Sequence, residues 1–216
     1  MNPSSQSPWY LPYAAAFVRG RLGSSVPVDD QEATEYGIAA GLRLYRFKRN
    51  AELPRVRRVL GALKGLQPAS VCDVGSGRGT FLWPLLDTLP GLPVTAVEAD
   101  PIRARDLGAV ASGGVDELKA VRGDATRLGF RDDAFDVSCA LEVLEHMAQP
   151  AMAAAELMRV TRRMTLVSVP SREDDNPEHI QLFSAASLRA LFLDAGAERV
   201  TIESVHGHLI GIVRVV

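Results

Sequence analysis

Cysteine is scarce in this chain of 216 residues, which has only Cys72 and Cys139. Each lies inside an apolar, strand-like run. That fits a small core residue of a reduced protein and leaves no disulfide framework to staple the fold. An excess of one charge is also lacking: 24 Lys and Arg stand against 26 Asp and Glu, a net −2. This balance excludes a surface given over to holding long nucleic acid, though it permits a local basic patch. Long hydrophobic runs are missing too, since no segment approaches the roughly twenty apolar residues of a membrane span. The run from Trp9 to Val18 is apolar, but it lacks a basic leader and Pro12 interrupts it, so it is not expected to be a secretory signal. A cytoplasmic protein is the expectation. What is present, 47% hydrophobic and 23% charged residues, describes a globular chain long enough for one sizeable core.

The start, to about residue 28, is rich in Pro and Ser and reads as an arm with at most a short helix around Tyr13 to Arg21 and little core. Asp29 and Asp30 precede a helix predicted over Gln31 to Asn50, with Ile38, Leu42 and Tyr45 at helical spacing. Pro54 opens a second through Lys64, with Val56, Val59, Leu60 and Leu63 on one face and Gly65 close to its end. From Arg43 to Lys64 there are eight basic residues and one acid, Glu52. The plain reading is a solvated helix surface; the functional one is attraction for an anionic substrate. Residues 1–65 thus read as an N-terminal arm and helical lid, and 66–216 as the main domain.

In that domain strands alternate with helices. The strands are predicted from Val71 into a glycine turn, then at Val94–Ala99, Leu118–Arg122, Phe135–Leu141, Met164–Val169, Arg199–Val205 and Leu209–Val215. Helices over Thr80–Leu89, Pro101–Val110, Ala151–Val160 and Ala185–Asp194 fall between them. The last two strands are joined too tightly, around His206-Gly207-His208, for a parallel crossover, so they are antiparallel. The fold class that follows is α/β: a Rossmann-like, doubly wound, mostly parallel seven-stranded sheet with an antiparallel last strand, plus N-terminal helices. Ligands in such sheets bind beyond the C-terminal strand ends. Those ends are Asp73 to Gly79, Glu98 to Asp100, Asp124 and Ala125, Leu141 to His146, and Pro170 onward.

The stretch Val71-Cys72-Asp73-Val74-Gly75-Ser76-Gly77-Arg78-Gly79-Thr80-Phe81 is a buried strand running into a glycine turn and then a helix. Three glycines at alternate positions let the backbone turn sharply and bring it close to a ligand, and the following helix offers N–H groups. A dinucleotide fingerprint requires a third glycine where Thr80 stands, and a P-loop requires a Gly-Lys-Ser/Thr ending that is absent.

This stretch resembles the first motif of class I S-adenosylmethionine-dependent methyltransferases. Three further stretches resemble that family in order: Val97-Glu98-Ala99-Asp100, Gly123-Asp124-Ala125, and Phe135-Asp136-Val137 through Glu142-Val143-Leu144-Glu145-His146. So does the tail from Phe183, and the resemblance covers about two thirds of the chain, Gln67 to Val216. It implies S-adenosylmethionine as cofactor and S-adenosylhomocysteine as product. The cofactor-binding set is Asp73, Gly75, Ser76, Gly77, Gly79, Glu98, Ala99, Asp124, Ala125, Leu141 and Glu142. Glu98 would accept the ribose hydroxyls and Asp124 the adenine amino group, while the amino acid end lies over Gly75 to Gly79 with its ammonium near Asp73. One departure is visible: relatives commonly carry a Pro-Gly-Gly turn before strand five, where this chain has Arg159 to Met164.

The catalytic candidates are Glu142, His146 and His179. The Glu142-x-x-Glu145-His146 pattern resembles ubiquinone-pathway O-methyltransferases and small-RNA terminal-ribose methyltransferases, in which such residues bind a divalent metal; His179 is a possible fourth ligand. Without metal, His146 or His179 is the candidate general base. His206 and His208 are expected to serve the final turn. The expected partner is a small-molecule acceptor with a hydroxyl or amine. RNA methylation, a cofactor-binding module without catalysis, and a nicotinamide oxidoreductase are the alternatives.

Overall fold

Seven apolar runs line up as the strands of one sheet in a computed structural model that describes residues 10–49, 53–172 and 175–215. The start of the predicted arm, the Asn50 end of the first predicted helix, Glu52, Glu173, Asp174 and Val216 lie outside the described residues. The strands are β1 (Val71–Val74), β2 (Val94–Glu98), β3 (Leu118–Arg122), β4 (Phe135–Leu141), β5 (Thr161–Pro170), β6 (Arg199–Val205) and β7 (His208–Arg214). Their order is β3-β2-β1-β4-β5-β7-β6, with β1 to β5 parallel and β7 antiparallel to both its neighbours. Every residue of β1 and β4 is buried, Asp73, Asp136 and Ser138 included, as strands covered on both faces should be. The order reverses at β1 and β4, and ligands bind beyond the strand ends at such a reversal.

The helices are α1 (Leu11–Leu22), α2 (Asp30–Ala39), α3 (Pro54–Leu66), α4 (Leu82–Thr88), α5 (Pro101–Ser112), α6 (Pro150–Val160) and α7 (Ala185–Asp194). Side-chain caps fix several starts. Asp29 accepts from Gln31 and Glu32 N–H, Asp100 from Ile102 and Arg103, and Ser184 from Ser187.

The expectation of little core in the arm is overturned. Residues 13–18 of α1 are buried, and they belong to the same apolar cluster as β1, β2 and β4. Small residues made this helix hard to read, because Ala14, Ala15 and Ala16 bury little area each yet let backbones approach. A Cβ built on Gly113 of α5 would lie 1.8 Å from the carbonyl oxygen of Ala16. Nearby, Arg21 and Arg46 share the buried carboxylate of Asp106, at 2.7 and 2.8 Å.

Three boundaries also differ. The α2 helix stops at Ala39, so Ile38 and Tyr45 are exposed, and Ala33, Thr34 and Gly37 form its buried side. The chain then reaches a 3-10 turn at Tyr45–Phe47 that inserts Phe47 into the core. The α3 helix runs through Gly65 and ends at Gln67, which takes a left-handed φ of 45°. At the departure before strand five, α6 passes directly into β5 at Thr161 without a loop. The hydroxyl of Thr161 there donates to Leu157 C=O at 2.6 Å.

An aromatic chain joins these N-terminal helices to the main domain. Tyr13 stacks on Trp83 at 5.9 Å between ring centroids, and Phe47 lies 5.0 Å from Trp83 and 5.5 Å from Phe17. Trp83 in turn packs behind the glycine turn, donating from Nε1 to Arg78 C=O at 3.0 Å.

Candidate functional site

The strand β1 delivers the chain to the glycine turn fully buried, and the turn is pinned to β2. Gly75 and Ser76 N–H both donate to Val97 C=O, at 2.8 and 3.2 Å. Gly75 adopts φ 75°, and a Cβ there would meet Val143 at 2.4 Å, so both the backbone angle and the close approach call for glycine. The helix begins later than predicted, at Leu82, with Pro84 in its first turn. The backbone facing a ligand is therefore that of the turn rather than that of the helix start.

Asp73 sits beneath the turn, 2% exposed, and its Oδ2 has no hydrogen-bond partner among the described residues. Burial pushes its carboxyl up to about 7, with Ser76 opposing and the nearby Glu98 adding to the rise. A buried carboxylate oxygen left open above its cavity is a socket for a cationic group. That cavity, about 170 Å³, is lined by Asp73, Gly75, Ser76, Gly77, Arg55 and Glu142 among others.

Glu98 closes the tip of β2. It is 6% exposed, and its carboxylate accepts from Gly77 N–H at 2.7 Å and from Asp100 N–H at 2.9 Å. It thus ties the second strand to the glycine turn while facing a cleft of about 500 Å³, which Ala99, Asp124, Ala125, His146 and Met147 also line. Asp124 is exposed and braces the tip of β3, its Oδ1 accepting from the Thr126 N–H and hydroxyl at 2.8 Å each. A bracing role and a ligand-facing position coincide here, so the site is pre-shaped by its own turn.

Leu141 ends β4 and lines the smaller cavity; Glu142, the next residue, takes a left-handed φ of 58°. That angle, uncommon for a non-glycine residue, swings its side chain out of the row formed by Glu145 and His146. Its carboxylate instead accepts from the Ser168 hydroxyl at 2.7 Å and from His208 Nε2–H at 3.0 Å, with Arg55 Nε at 3.6 Å. Burial alone would raise the Glu142 carboxyl; His208, Arg55 and Ser168 outweigh it and hold it low. The Glu142 bond raises His208 in return, against its burial. His208 Nδ1 lies 3.1 Å from its other neighbour, the His206 C=O, so both ring nitrogens face oxygen acceptors, an arrangement that favours the protonated ring. His208 therefore belongs to this site rather than only to the turn.

The remaining metal candidates gather without Glu142. Ligand atoms of Glu145, His146 and His179 lie within 4.8 Å of one another, with Glu145 fully buried and the two imidazole rings 4.8 Å apart. The predicted four-residue set thus divides, with Glu142 joining His208 and the other three facing one another. His146 Nδ1 bonds Glu178 C=O at 2.8 Å, which places its proton there and leaves Nε2 as the ligating nitrogen. Two histidines and a carboxylate suit a divalent transition ion.

Arg55, Ser168 and His208 were not among the predicted residues. The signal for Ser168 was available, because parallel pairing of β4 with β5 sets it beside Leu141. His208 follows from the closing hairpin, which returns it opposite Pro170 at the same sheet edge. Arg55 lay hidden in the charge run. Much of that run is committed to the main domain: Arg46 pairs with Asp106, Arg49 with Asp87 at 2.9 Å, and Arg58 with Glu203.

A seven-stranded sheet in this order, with a carboxylate at the tip of β2 tied to a glycine turn after β1, defines a nucleoside-cofactor site of the methyltransferase kind. Known proteins agree. Residues 72–168 match the family described as "Methyltransferase domain". An uncharacterised methyltransferase of Mycobacterium avium is 34% identical over 93 residues, covering 43% of this chain and 35% of that protein. The 2-ketoarginine methyltransferase of Streptomyces arginensis is 30% identical over 198 residues, covering 78% of this chain and 57% of that one. Matches thus span from about a third to little more than half of these relatives' lengths. In fold, a SAM-dependent methyltransferase from Aquifex aeolicus superposes with a TM-score of 0.65 at 21% identity, over 76% of this chain and 92% of that one. Magnesium protoporphyrin IX methyltransferase from Synechocystis, with bound SAH, gives 0.60 at 17% identity, over 74% and 82%. Residues 72–168 thus match a methyltransferase domain, and the sheet has the fold of S-adenosylmethionine-dependent methyltransferases.

Proposed function

We propose that this protein transfers a methyl group from S-adenosylmethionine to a hydroxyl or amine of a small-molecule acceptor. The observation that carries the reading is the buried, open oxygen of Asp73 beneath the glycine turn, in a cavity that adjoins the Glu98 cleft. An ammonium fits the first and a ribose the second. In this reading Asp73 holds the ammonium, Arg55 faces the carboxylate, Glu98 takes the ribose hydroxyls, and Asp124 with Ala125 takes the adenine edge. When bound, the cofactor supplies a methyl group already activated on a sulfonium. The protein's part is alignment, which can contribute on the order of 7 to 11 kcal/mol. Residues 1–65 serve as the lid in this reading, with α3 placing Arg55 over the cavity. Among the described residues no helix is long and apolar enough to cross a membrane; the proposed location is the cytoplasm.

Asp73 gives a direct test. With its carboxyl near 7 in the free protein, about half the molecules carry that proton at neutral pH, and a bound ammonium drives it off. Binding of S-adenosylhomocysteine is expected to release about half a proton at pH 7, nearer one at pH 6 and almost none at pH 8.5. Affinity should correspondingly tighten as pH rises through this range. Titration calorimetry in buffers of different ionisation enthalpy measures the release, and Asp73→Asn should abolish it. A protein that binds neither S-adenosylmethionine nor its product lacks the proposed function.

The Glu145, His146 and His179 cluster supports a second, metal-assisted form of the same reaction, akin to the ubiquinone-pathway type, in which a divalent ion holds the acceptor hydroxyl. Transfer activity over a metabolite panel should then fall at least about tenfold with chelator, returning on addition of a divalent ion. Activity indifferent to chelator excludes this form. The commitment of Arg46, Arg49 and Arg58 to acidic partners weighs against an RNA acceptor.

A further inference from the structure

On the methyltransferase reading, the methyl group changes hands where two cavities meet. The cleft over Glu98 and the cavity over Asp73 have three lining residues in common: Gly75, Gly77 and Glu142. A donor with its nucleoside in one and its amino acid end in the other has its sulfur at that junction, because the sulfur joins the two halves. Glu142 is the one junction residue with a side chain.

That side chain is held unusually firmly. The left-handed φ of 58° fixes its direction, Ser168 binds one oxygen at 2.7 Å, and His208 binds the other at 3.0 Å. Arg55 stands 3.6 Å away and adds charge without a hydrogen bond. Each carboxylate oxygen accepts more than one hydrogen bond, so the network leaves lone pairs for a ligand. Ser168 and His208 come from β5 and β7, which meet β4 only through the sheet, and His208 lies outside the matched segment 72–168.

We propose that Glu142, oriented by His208 and Ser168, receives the proton-bearing nitrogen or oxygen of the acceptor at the methyl-transfer position. His208 is then a positioning residue that acts through Glu142. In the transfer the acceptor's lone pair forms the new C–N or C–O bond and the C–S pair returns to sulfur. The acceptor's proton leaves along its hydrogen bond to Glu142 and passes to solvent. A carboxylate fixed at this point selects acceptors that bring an N–H or O–H.

Sinefungin, in which an amine-bearing carbon replaces the methylated sulfur, sets N–H donors at the same point and serves as probe. By calorimetry the wild-type protein should bind it at least about tenfold more tightly than S-adenosylhomocysteine, the increment of one charge-assisted hydrogen bond. Glu142→Gln should bring the two affinities to near equality. His208→Leu should remove most of the preference, and His208→Gln, which keeps an N–H donor, should restore it. A preference unchanged in Glu142→Gln and His208→Leu overturns the proposal, as does a parallel loss of both ligands in His208→Leu. Wild-type protein that binds S-adenosylhomocysteine without preference overturns it while sparing the methyltransferase reading. Binding of neither ligand removes both.

Discussion

Glu98→Ala is expected to weaken S-adenosylhomocysteine binding by a hundredfold or more, about 3 kcal/mol, and to lower the melting temperature of the free protein by about 2 to 6 °C. Two effects combine. The carboxylate that would take the ribose hydroxyls is lost, and so is the anchor of Gly77 N–H at 2.7 Å and Asp100 N–H at 2.9 Å. Without that anchor the glycine turn is held to β2 only by the Gly75 and Ser76 bonds to Val97 C=O. Glu98→Gln separates the two effects, because its amide keeps one acceptor oxygen and should lose less. Equal affinities of wild type and Glu98→Ala, measured by calorimetry, would remove Glu98 from the cofactor site.

The second large effect concerns stability. Gly113→Val should destabilise the fold by roughly 3 kcal/mol and lower the melting temperature by about 6 to 12 °C, from overpacking. Its Cβ would meet the Ala16 carbonyl oxygen at 1.8 Å, and backbone cannot yield as a flexible side chain does. The backbone angle of Gly113, φ −87°, suits any residue, so the effect isolates the contact between α1 and α5. Gly108, in the same helix with nothing within 4 Å of a built Cβ, is the control. Gly108→Ala should be neutral or stabilising by up to about 1 kcal/mol. A Gly113→Val protein that melts like wild type would show that α1 does not seat against α5 as described.

The inner strands were legible because they are buried and mostly apolar, and the edge strands β3 and β6 because apolar residues recur along them between turn signals. The residues β3 118–122, β4 135–141, α7 185–194 and β6 199–205 fall where periodicity puts them. The glycine turn and the acidic strand ends were legible for a related reason: ligands bind at strand C-termini, so strand assignment carried site assignment with it. Legibility failed where small residues or side-chain direction decided the outcome. The Ala14-Ala15-Ala16 run has the composition of a surface helix, and its close packing depends on Gly113, at the end of α5 some ninety positions away. Sequence spacing set Glu142 with Glu145 and His146, but one left-handed residue parts them. No local pattern announces that angle, and the partners its side chain meets, Ser168 and His208, arrive from β5 and β7.

The stack of Tyr13 and Phe47 on Trp83 bears on where this protein can be divided. The similarity to the methyltransferase family opens at residue 72, yet Trp83, behind the glycine turn, rests on rings contributed by residues 13 and 47. Inherited module and cooperative unit therefore have different borders. A fragment trimmed to the recognisable segment would keep every motif and lose the buttress behind its first one. The least family-like part of the chain sets how rigid the most family-like part can be.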